Sequence, residues 1–112
     1  MPLARRYEPA EPDRAEVDGR AGPAVIEFGA PWCGHCIAAQ GPIEAAFADH
    51  PDVHHLKIED GRGKPLGRSY RIKLWPTLVF LRDGEEVARL VRPVTAAPIA
   101  DALAMIDPPA ER

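Results

Sequence analysis

The sequence is short of cysteine, of aromatic residues and of long apolar runs. Its 112 residues include two cysteines, and aromatic side chains account for 6% of the total. A disulfide-stabilised fold would need more cysteines spread along the chain. No apolar run reaches the length of about 18 residues that a membrane span requires. The core must therefore be built mainly from Ala, Val, Ile and Leu, and the length suits a single domain.

A strong excess of charge of one sign is also missing. The chain carries 14 basic and 17 acidic residues, a net charge of −3, and it has no basic stripe that would favour nucleic acid. The first ten residues contain two arginines without an apolar stretch after them, so they do not form a secretory signal. If the sequence is complete, we expect a cytoplasmic monomer with neither membrane nor nucleic-acid partners.

Hydrophobic periodicity predicts a small α/β domain. Compact or alternating apolar runs indicate four strands, at 24–29, 53–59, 78–81 and 86–91. Helical periodicity indicates a long helix over 33–49, with a kink at Pro42, and a last helix capped by Thr95. Short helices are expected at 12–17 and near 66–70, and Asp83-Gly84 indicates a hairpin turn.

The order of these elements predicts a mixed sheet of four to five strands with helices on both faces. We expect the first two strands to pair in parallel, because a helix connects them, and the hairpin to add an antiparallel edge. The predicted division of the chain is an N-terminal extension over 1–22 with a short helix, a domain over 23–107 and a C-terminal tail over 108–112.

The two cysteines lie in the run Trp32-Cys33-Gly34-His35-Cys36. A bond between them would close a very small loop and add little stability, which indicates a chemical role. Cys33 follows a buried strand and begins a helix, where free N–H groups and the helix dipole favour a thiolate, and His35 can add a positive charge. We therefore predict that Cys33 is an exposed nucleophile and that Cys36, one turn deeper, resolves the mixed disulfide.

Two parts of the chain resemble the thioredoxin superfamily. The run 25–36, VIEFGAPWCGHC, is similar to the family's active-site strand and loop, and its CGHC tetrad is the one typical of protein disulfide isomerase domains. The run 70–77, YRIKLWPT, is similar to the segment that leads to the family's cis-proline, and the run 78–91 is similar to its β-hairpin. The resemblance covers residues 24–107 and implies the thioredoxin fold and a thiol–disulfide oxidoreductase activity.

The resemblance also assigns further site residues. Pro76 corresponds to the cis-proline that lies against the disulfide, and the backbone of Trp75 corresponds to the group that pairs with substrate. Glu27 corresponds to a buried acid that could take and return the proton of the resolving cysteine. The lysine that neighbours this acid in typical thioredoxins aligns with His55 or, after a shift of two residues, with Lys57. For Trp32, contact with substrate and packing over the loop are both expected.

The chain also departs from the family pattern. His35 replaces the proline of typical thioredoxins, and a cation there stabilises the Cys33 thiolate, so we expect a more oxidising pair. Ile37 occupies a position where a cation is usual, and one extra residue precedes Pro42 in the helix. Arg92 and Pro93 replace the usual Gly-Ala of the substrate loop. Arg92 is thus either a substrate contact or a surface charge, and we expect it to narrow the range of substrates.

The sequence as a whole predicts a thioredoxin-like disulfide reductase that binds no cofactor. It would act on disulfide-containing proteins and receive electrons from an external donor, either thioredoxin reductase or glutathione. One alternative is an oxidase or isomerase in an oxidising compartment, and another is a non-catalytic binding module with the same fold.

A third alternative is a zinc-binding protein. Zinc needs four ligands, or three and a water, and His35 is poorly placed to join the two cysteines between which it lies. His54 and His55 point to opposite faces of their strand, so at least one of them should face solvent, and we expect a structural role for both. The redox interpretation is therefore the preferred one.

Overall fold

The computed structural model describes residues 3–108 of the chain. Four strands and four helices follow one another in this part of the chain, in the order α1 (Arg14–Asp18), β1 (Pro23–Gly29), α2 (Gly34–Phe47), β2 (His54–Glu59), α3 (Pro65–Ser69), β3 (Thr77–Arg82), β4 (Glu85–Val91) and α4 (Ala96–Ile106). Most of the predicted tail over 108–112 lies outside the described residues. The predicted boundaries of the extension, the domain and the tail stay predictions.

The four strands form one mixed sheet in the order β2-β1-β3-β4. Strand β1 is central, since it pairs in parallel with β2 and antiparallel with β3, and β4 completes the antiparallel edge. The hairpin between β3 and β4 turns at Asp83 and Gly84, which both have left-handed backbone angles, with φ of 52° and 82°. Two consecutive positive φ values define the type I′ turn that suits the twist of two-residue hairpins. The predicted mixed sheet is confirmed, with four strands.

Helices cover both faces of the sheet, as predicted. Because side chains alternate along a strand, odd-numbered residues of β1 such as Val25 face α2 and α4, whereas even-numbered residues such as Ile26 face α1 and α3. Both faces of β1 are buried. The buried polar side chains of β1 and β2 all have odd numbers and therefore lie on the α2 face: Glu27, His55 and Lys57.

Several elements begin or end a few residues away from the predicted boundaries. Helix α1 begins after Asp13 rather than at Pro12, because the Glu16 carboxylate accepts a hydrogen bond from the Asp13 backbone N–H and closes the first turn. Strand β3 begins at Thr77, which already pairs with Phe28 of β1. Thr95 occupies the N-cap position of α4, as predicted, but its side chain makes no capping hydrogen bond.

Within residues 3–108, no helix combines the length and the apolar character that crossing a bilayer requires.

Candidate functional site

Cys33 lies at the junction between the central strand and the long helix. It is the N-cap residue of α2, and its Sγ accepts a hydrogen bond from the backbone N–H of Cys36 at 3.2 Å. The N-terminus of a helix carries partial positive charge, and its free N–H groups favour an anion. The predicted environment of a stabilised Cys33 thiolate is therefore present in the backbone itself.

Both thiols are free and both are buried. Cys33 has 7% of its surface exposed and Cys36 has 2%. The prediction that Cys33 is exposed is therefore wrong, because Trp75 packs against the cluster that the two cysteines form with Ala30. The role of Cys33 as the nucleophile stays a prediction. Cys33 remains the more accessible of the two thiols.

The environment of Cys36 favours the protonated form of its thiol. Burial raises the pKa of Cys36 to about 11, and the neighbouring Cys33 thiol acts in the same direction. The backbone of Ala30 and the hydroxyl of Tyr7 lower it in part. Cys36 is consequently a neutral thiol near pH 7, and it needs a base before it can act as a nucleophile.

A chain of hydrogen bonds surrounds Glu27, whose side chain is fully buried behind the cysteines. Its Oε1 lies 2.9 Å from Nε2 of His55, and its Oε2 accepts from Nε2 of Gln40 at 2.9 Å. Gln40 also donates to the backbone carbonyl of Cys36 at 2.8 Å and accepts from Nζ of Lys57 at 2.9 Å. Glu27 is thus coupled to the resolving cysteine through the Gln40 side chain.

Donors at each end fix the orientation of this network. The backbone N–H of Ala4 donates to Nδ1 of His55 at 2.8 Å, so the ring proton must be on Nε2, where it points at Glu27. The Lys57 ammonium has only donors, so it requires the oxygen of the Gln40 amide and turns the amide nitrogen toward Glu27. Both oxygens of Glu27 therefore accept hydrogen bonds, one from His55 and one from Gln40.

The two candidates for the basic neighbour of Glu27 thus both join the network. His55 contacts the acid directly, and Lys57 reaches it through Gln40. The reason is the strand period of two residues, which places both side chains on the α2 face of β2. His54 points away and is exposed, in agreement with the expected opposite orientation of the two histidines.

Trp75 and Pro76 lie beside the cysteines on the other side of the site. The peptide bond between them is cis, as the resemblance implied. The Trp75 indole donates to Asp60 Oδ2 at 2.9 Å and meets Trp32 edge to face, with ring centroids 5.5 Å apart. Trp32 itself is 72% exposed. One tryptophan therefore packs against the thiols, and the other extends into solvent above them.

Arg92 lies against the cis-proline segment rather than free in solvent. Its Nε donates to the backbone carbonyl of Trp75 at 2.8 Å, and its own backbone N–H donates to the carbonyl of Pro76 at 2.8 Å. Arg92 has a φ of 51°, in the left-handed region where the glycine of the family pattern would be unstrained. The side-chain bond to Trp75 thus accompanies a backbone conformation that arginine rarely adopts.

His35 is exposed on the first turn of α2. It lines a small pocket of about 100 Å³ together with Arg92, Pro93 and Val94. The site therefore brings His35 and Arg92, two basic side chains, to the same rim beside Cys33.

Sequence reasoning missed three contributors to the site. Tyr7 comes from the N-terminal segment, Gln40 from α2 and Asp60 from the loop after β2. Gln40 was detectable, since it occupies a polar position on the otherwise apolar helix face formed by Cys36, Ile43 and Phe47. Tyr7 and Asp60 gave no local signal, because their contacts depend on how distant segments meet.

The described residues contain no group of three or more His, Cys, Asp or Glu side chains arranged to hold a metal ion. The histidines that the zinc alternative would need are dispersed: His35 and His54 are exposed, and His55 is bound to Glu27.

Comparisons with known proteins agree with this geometry. The thioredoxin family model matches residues 11–105. Thioredoxin H2-1 of rice (Oryza sativa subsp. japonica) is 36% identical over 67 residues, which are 60% of this chain and 49% of that protein. The thioredoxin of Chlamydia trachomatis is 35% identical over 71 residues, which are 63% of this chain and 70% of that protein. The chain thus spans about half the length of the rice relative.

A solved structure is similar over almost the whole chain. Reduced thioredoxin 2 from Pseudomonas aeruginosa PAO1 superposes with a TM-score of 0.83 and 53% identity, and the match covers 93% of this chain and 96% of that one.

Two free thiols at a helix N-terminus, a buried acid behind them and a cis-proline beside them are the features of a thiol–disulfide oxidoreductase site. The chain belongs to the thioredoxin family. The predictions of the family, of its fold and of the oxidoreductase class are confirmed.

Proposed function

We propose that this protein is a protein-disulfide reductase in which Cys33 attacks and Cys36 resolves. The observation that carries this proposal is the asymmetry of the two thiols. Cys33 accepts a hydrogen bond at the N-terminus of α2, whereas burial raises the pKa of Cys36 to about 11. The Cys33 sulfur has a backbone donor that would stabilise a thiolate. The Cys36 sulfur keeps its proton until a base removes it.

In the first step, the Cys33 thiolate attacks one sulfur of a substrate disulfide. A bond forms between Cys33 Sγ and that sulfur, the substrate S–S bond breaks, and the second substrate sulfur leaves as a thiolate that takes up a proton from solvent. The backbone N–H of Cys36 stabilises the attacking sulfur. His35, on the exposed rim beside it, can add positive charge.

In the second step, Cys36 loses its proton and attacks Cys33 Sγ. The Cys33–Cys36 bond forms, the bond between Cys33 and the substrate breaks, and the substrate sulfur leaves as a thiolate that takes up a proton from solvent. The substrate has then gained two electrons and the cysteine pair has lost two. We assign Glu27 as the acceptor of the Cys36 proton, because it is the fully buried carboxylate on the resolving side and Gln40 couples it to the Cys36 backbone.

The surface around the cysteines supports a protein as substrate. Large apolar side chains that are exposed surround the pair: Trp32, Ile37, Leu74 and Val94. Exposed apolar groups around a reactive site are typical of surfaces that bind other proteins. The backbone of Trp75 would pair with the substrate chain, and Arg92 lies at the edge of that surface.

The remaining parts of the proposal concern the cell. We propose a cytoplasmic monomer that takes electrons from an external donor, thioredoxin reductase or glutathione, and that contributes to redox homeostasis. We prefer the reductase direction to the oxidase or isomerase alternative, because two relatives that this chain matches over most of their own length are named thioredoxins.

The test is reduction of insulin by the wild-type protein and by two serine variants. Cys33→Ser is expected to abolish activity. Cys36→Ser is expected to keep the attack step and to accumulate a mixed disulfide with the substrate, visible on a non-reducing gel. Circular dichroism of both variants controls for folding. Activity that survives in folded Cys33→Ser, or absence of an adduct with Cys36→Ser, would contradict the assignment.

A further inference from the structure

A cluster of positive charge lies next to the candidate site but takes no part in the chemistry described above. Five of the 14 basic residues of the chain line one open pocket of about 520 Å³: Arg62, Lys64, Arg68, Arg71 and Lys73. We call this the cationic pocket. It is concentrated in the segment between β2 and the cis-proline, in a chain whose net charge is −3.

The charges of the cationic pocket are not neutralised within the described residues. Across residues 3–108, the ion pairs of the protein lie elsewhere, and none involves any of the five. The pocket contains one carboxylate, that of Asp60, whose Oδ2 accepts from the Trp75 indole. The local excess is therefore four positive charges. Like charges held together on one surface cost free energy unless a partner of the opposite sign compensates them.

The cationic pocket is continuous with the cysteine site through Trp75. This residue lines the pocket and also packs against the cluster that contains Cys33. A chain that passes over the thiols and across Trp75 would therefore reach the basic residues directly.

The kind of partner follows from the exposure of these cations. Arg62, Arg68, Arg71 and Lys73 are exposed and Lys64 is half-buried, so each remains hydrated and a single small anion would gain little from them. A peptide segment with several carboxylates meets all of them at once. We propose that the cationic pocket docks an acidic segment that flanks the disulfide of the protein substrate, an inference that rests on the proposed reductase function.

Two synthetic peptides with the same internal disulfide test this proposal, one flanked by glutamates and the other by glutamines. The readout is the ratio of the two kcat/KM values, because a general loss of activity cancels from it. We expect the wild-type protein to prefer the acidic peptide about fivefold at low ionic strength. The preference should disappear at about 1 M salt, where the screening length is short.

Variants then locate the effect. Arg71→Gln with Lys73→Gln should remove most of the preference, whereas Arg6→Gln removes a charge on the opposite side of the cysteines, beside Cys36, and should retain it. A wild-type ratio of one, or an equal loss with Arg6→Gln, would overturn the docking proposal while leaving the reductase function intact. Failure to reduce either peptide would contradict the reductase function and the docking proposal together.

A second and independent observation concerns Tyr7. Residues before α1 lie along the edge strand, where the backbone N–H of Glu8 donates to the carbonyl of Lys57 at 2.9 Å and Ala4 binds His55. Between these two anchors, the Tyr7 ring lies 5.0 Å from the Lys57 ammonium. The segment is therefore held at three points, and the Tyr7 side chain is directed inward.

The hydroxyl of Tyr7 ends beside the sulfur of Cys36. Both atoms cover the Cα of Gly29, since a Cβ added there would lie 2.6 Å from Cys36 Sγ and 3.0 Å from the Tyr7 oxygen. The two groups interact: the pKa of Tyr7 is raised, first by burial and then by Cys36, while Tyr7 lowers the pKa of Cys36. Tyr7 thus keeps its proton at every pH at which the enzyme would operate.

We infer that the Tyr7 hydroxyl donates a hydrogen bond to the Cys36 sulfur as it becomes a thiolate, and so assists the resolving step. In that step the Cys36 proton goes to Glu27, the Cys33–Cys36 bond forms and the bond from Cys33 to substrate breaks. Tyr7 contributes a hydrogen bond and transfers no proton. This inference also rests on the proposed function.

Tyr7→Phe tests it, because the ring that Lys57 faces is retained and only the hydroxyl is lost. Loss of a hydrogen bond to a charged sulfur should reduce the thiolate fraction about tenfold. The remaining thiolate is about threefold more nucleophilic, since the Brønsted coefficient is about 0.4–0.5, so the resolving step should slow about threefold. Stopped-flow decay of a preformed mixed disulfide measures this step directly.

The pH profile and a matched control decide the result. The profile of the resolving rate should move to higher pH in Tyr7→Phe, which a merely structural role would not cause. Tyr70→Phe, the same change at the other tyrosine and on the opposite face of the sheet, should leave it in place. An unmoved profile in Tyr7→Phe, or an equal shift in Tyr70→Phe, would overturn the role of Tyr7. If Cys33 failed to attack a substrate disulfide, that result would contradict the proposed reductase function rather than the role of Tyr7.

Discussion

The two sides of the cysteine pair are built in different ways. On the attack side, Cys33 receives a backbone N–H at the N-terminus of α2, beside the exposed His35 and the cis-proline segment. On the resolving side, Cys36 lies among buried polar groups that are connected by hydrogen bonds through Gln40 to Glu27. The first side places a backbone donor against the attacking sulfur, whereas the second places a buried carboxylate near a thiol that keeps its proton. Two cysteines one helical turn apart thus have different surroundings, one suited to a thiolate and the other to a protonated thiol.

Replacement of the buried acid should separate the two sides most strongly. We expect Glu27→Gln to slow the resolving step about a hundredfold near pH 7, at the low end of what general-base catalysis contributes. The attack step should be unchanged. Since the pKa of Cys36 is raised to about 11, its thiolate fraction grows with pH, so the rate of the variant should rise toward that of the wild type in alkaline solution.

Rapid-mixing measurements of both steps between pH 6 and pH 10, which lie below that value, would check this prediction. Glu85→Gln is the control, because Glu85 is an exposed carboxylate at the start of β4, remote from the cysteines. Equal resolving rates for Glu27→Gln and the wild type across the range would exclude Glu27 as the base.

On the attack side, His35 should affect the reduction potential of the Cys33–Cys36 pair rather than the rate of the resolving step. A positive charge on the exposed first turn of α2 stabilises the Cys33 thiolate and with it the reduced pair. His35→Pro should therefore lower the reduction potential by about 30 mV, which corresponds to about tenfold in the equilibrium constant with glutathione. Redox titration against glutathione gives this value.

His35→Gln separates the loss of the histidine charge from the backbone constraint that proline introduces. Glutamine removes the charge without imposing the fixed φ of proline, so it should lower the potential by a similar amount if charge is the cause. A potential that stays the same or rises in His35→Pro would remove the electrostatic explanation of the CGHC tetrad.

The same division between the two sides explains what the sequence could predict. The attack side is made from contiguous segments, since Trp32, Cys33 and His35 are neighbours in the chain, and Trp75-Pro76 is one short motif. The family resemblance of the run 70–77 located Trp75 and Pro76, and local period and turn signals located Cys33 and His35. The strands and the long helix were located for the same reason, with errors of a few residues at their ends.

The resolving side could be predicted only in part. Glu27 was detectable because an acid within an apolar central strand is unusual. Its partners come from distant parts of the chain, Gln40 from α2 and His55 from β2, and His55 in turn is bound by Ala4 of the N-terminal segment. No local pattern specifies such contacts, which depend on the pairing of β1 with β2 and on where the N-terminal segment lies. The burial of Cys33 was missed for the same reason, because it depends on Trp75, which packs against the two cysteines from a distant segment.

The smallest expected effect concerns the edge of the attack side. Arg92 binds the carbonyl of Trp75, the residue whose backbone is assigned to substrate pairing, and a substrate strand must compete with it. Arg92→Gly frees that carbonyl and relieves the φ of 51°. We expect KM to fall about threefold for uncharged peptide disulfides, the equivalent of a weak exposed hydrogen bond, with little change in kcat. Asp83→Gly relieves a φ of 52° in the remote hairpin turn and is the matched control for activity. A KM that rises in Arg92→Gly would mean that Arg92 contacts substrate directly, and the attack side would then include a charged binding group as well as backbone.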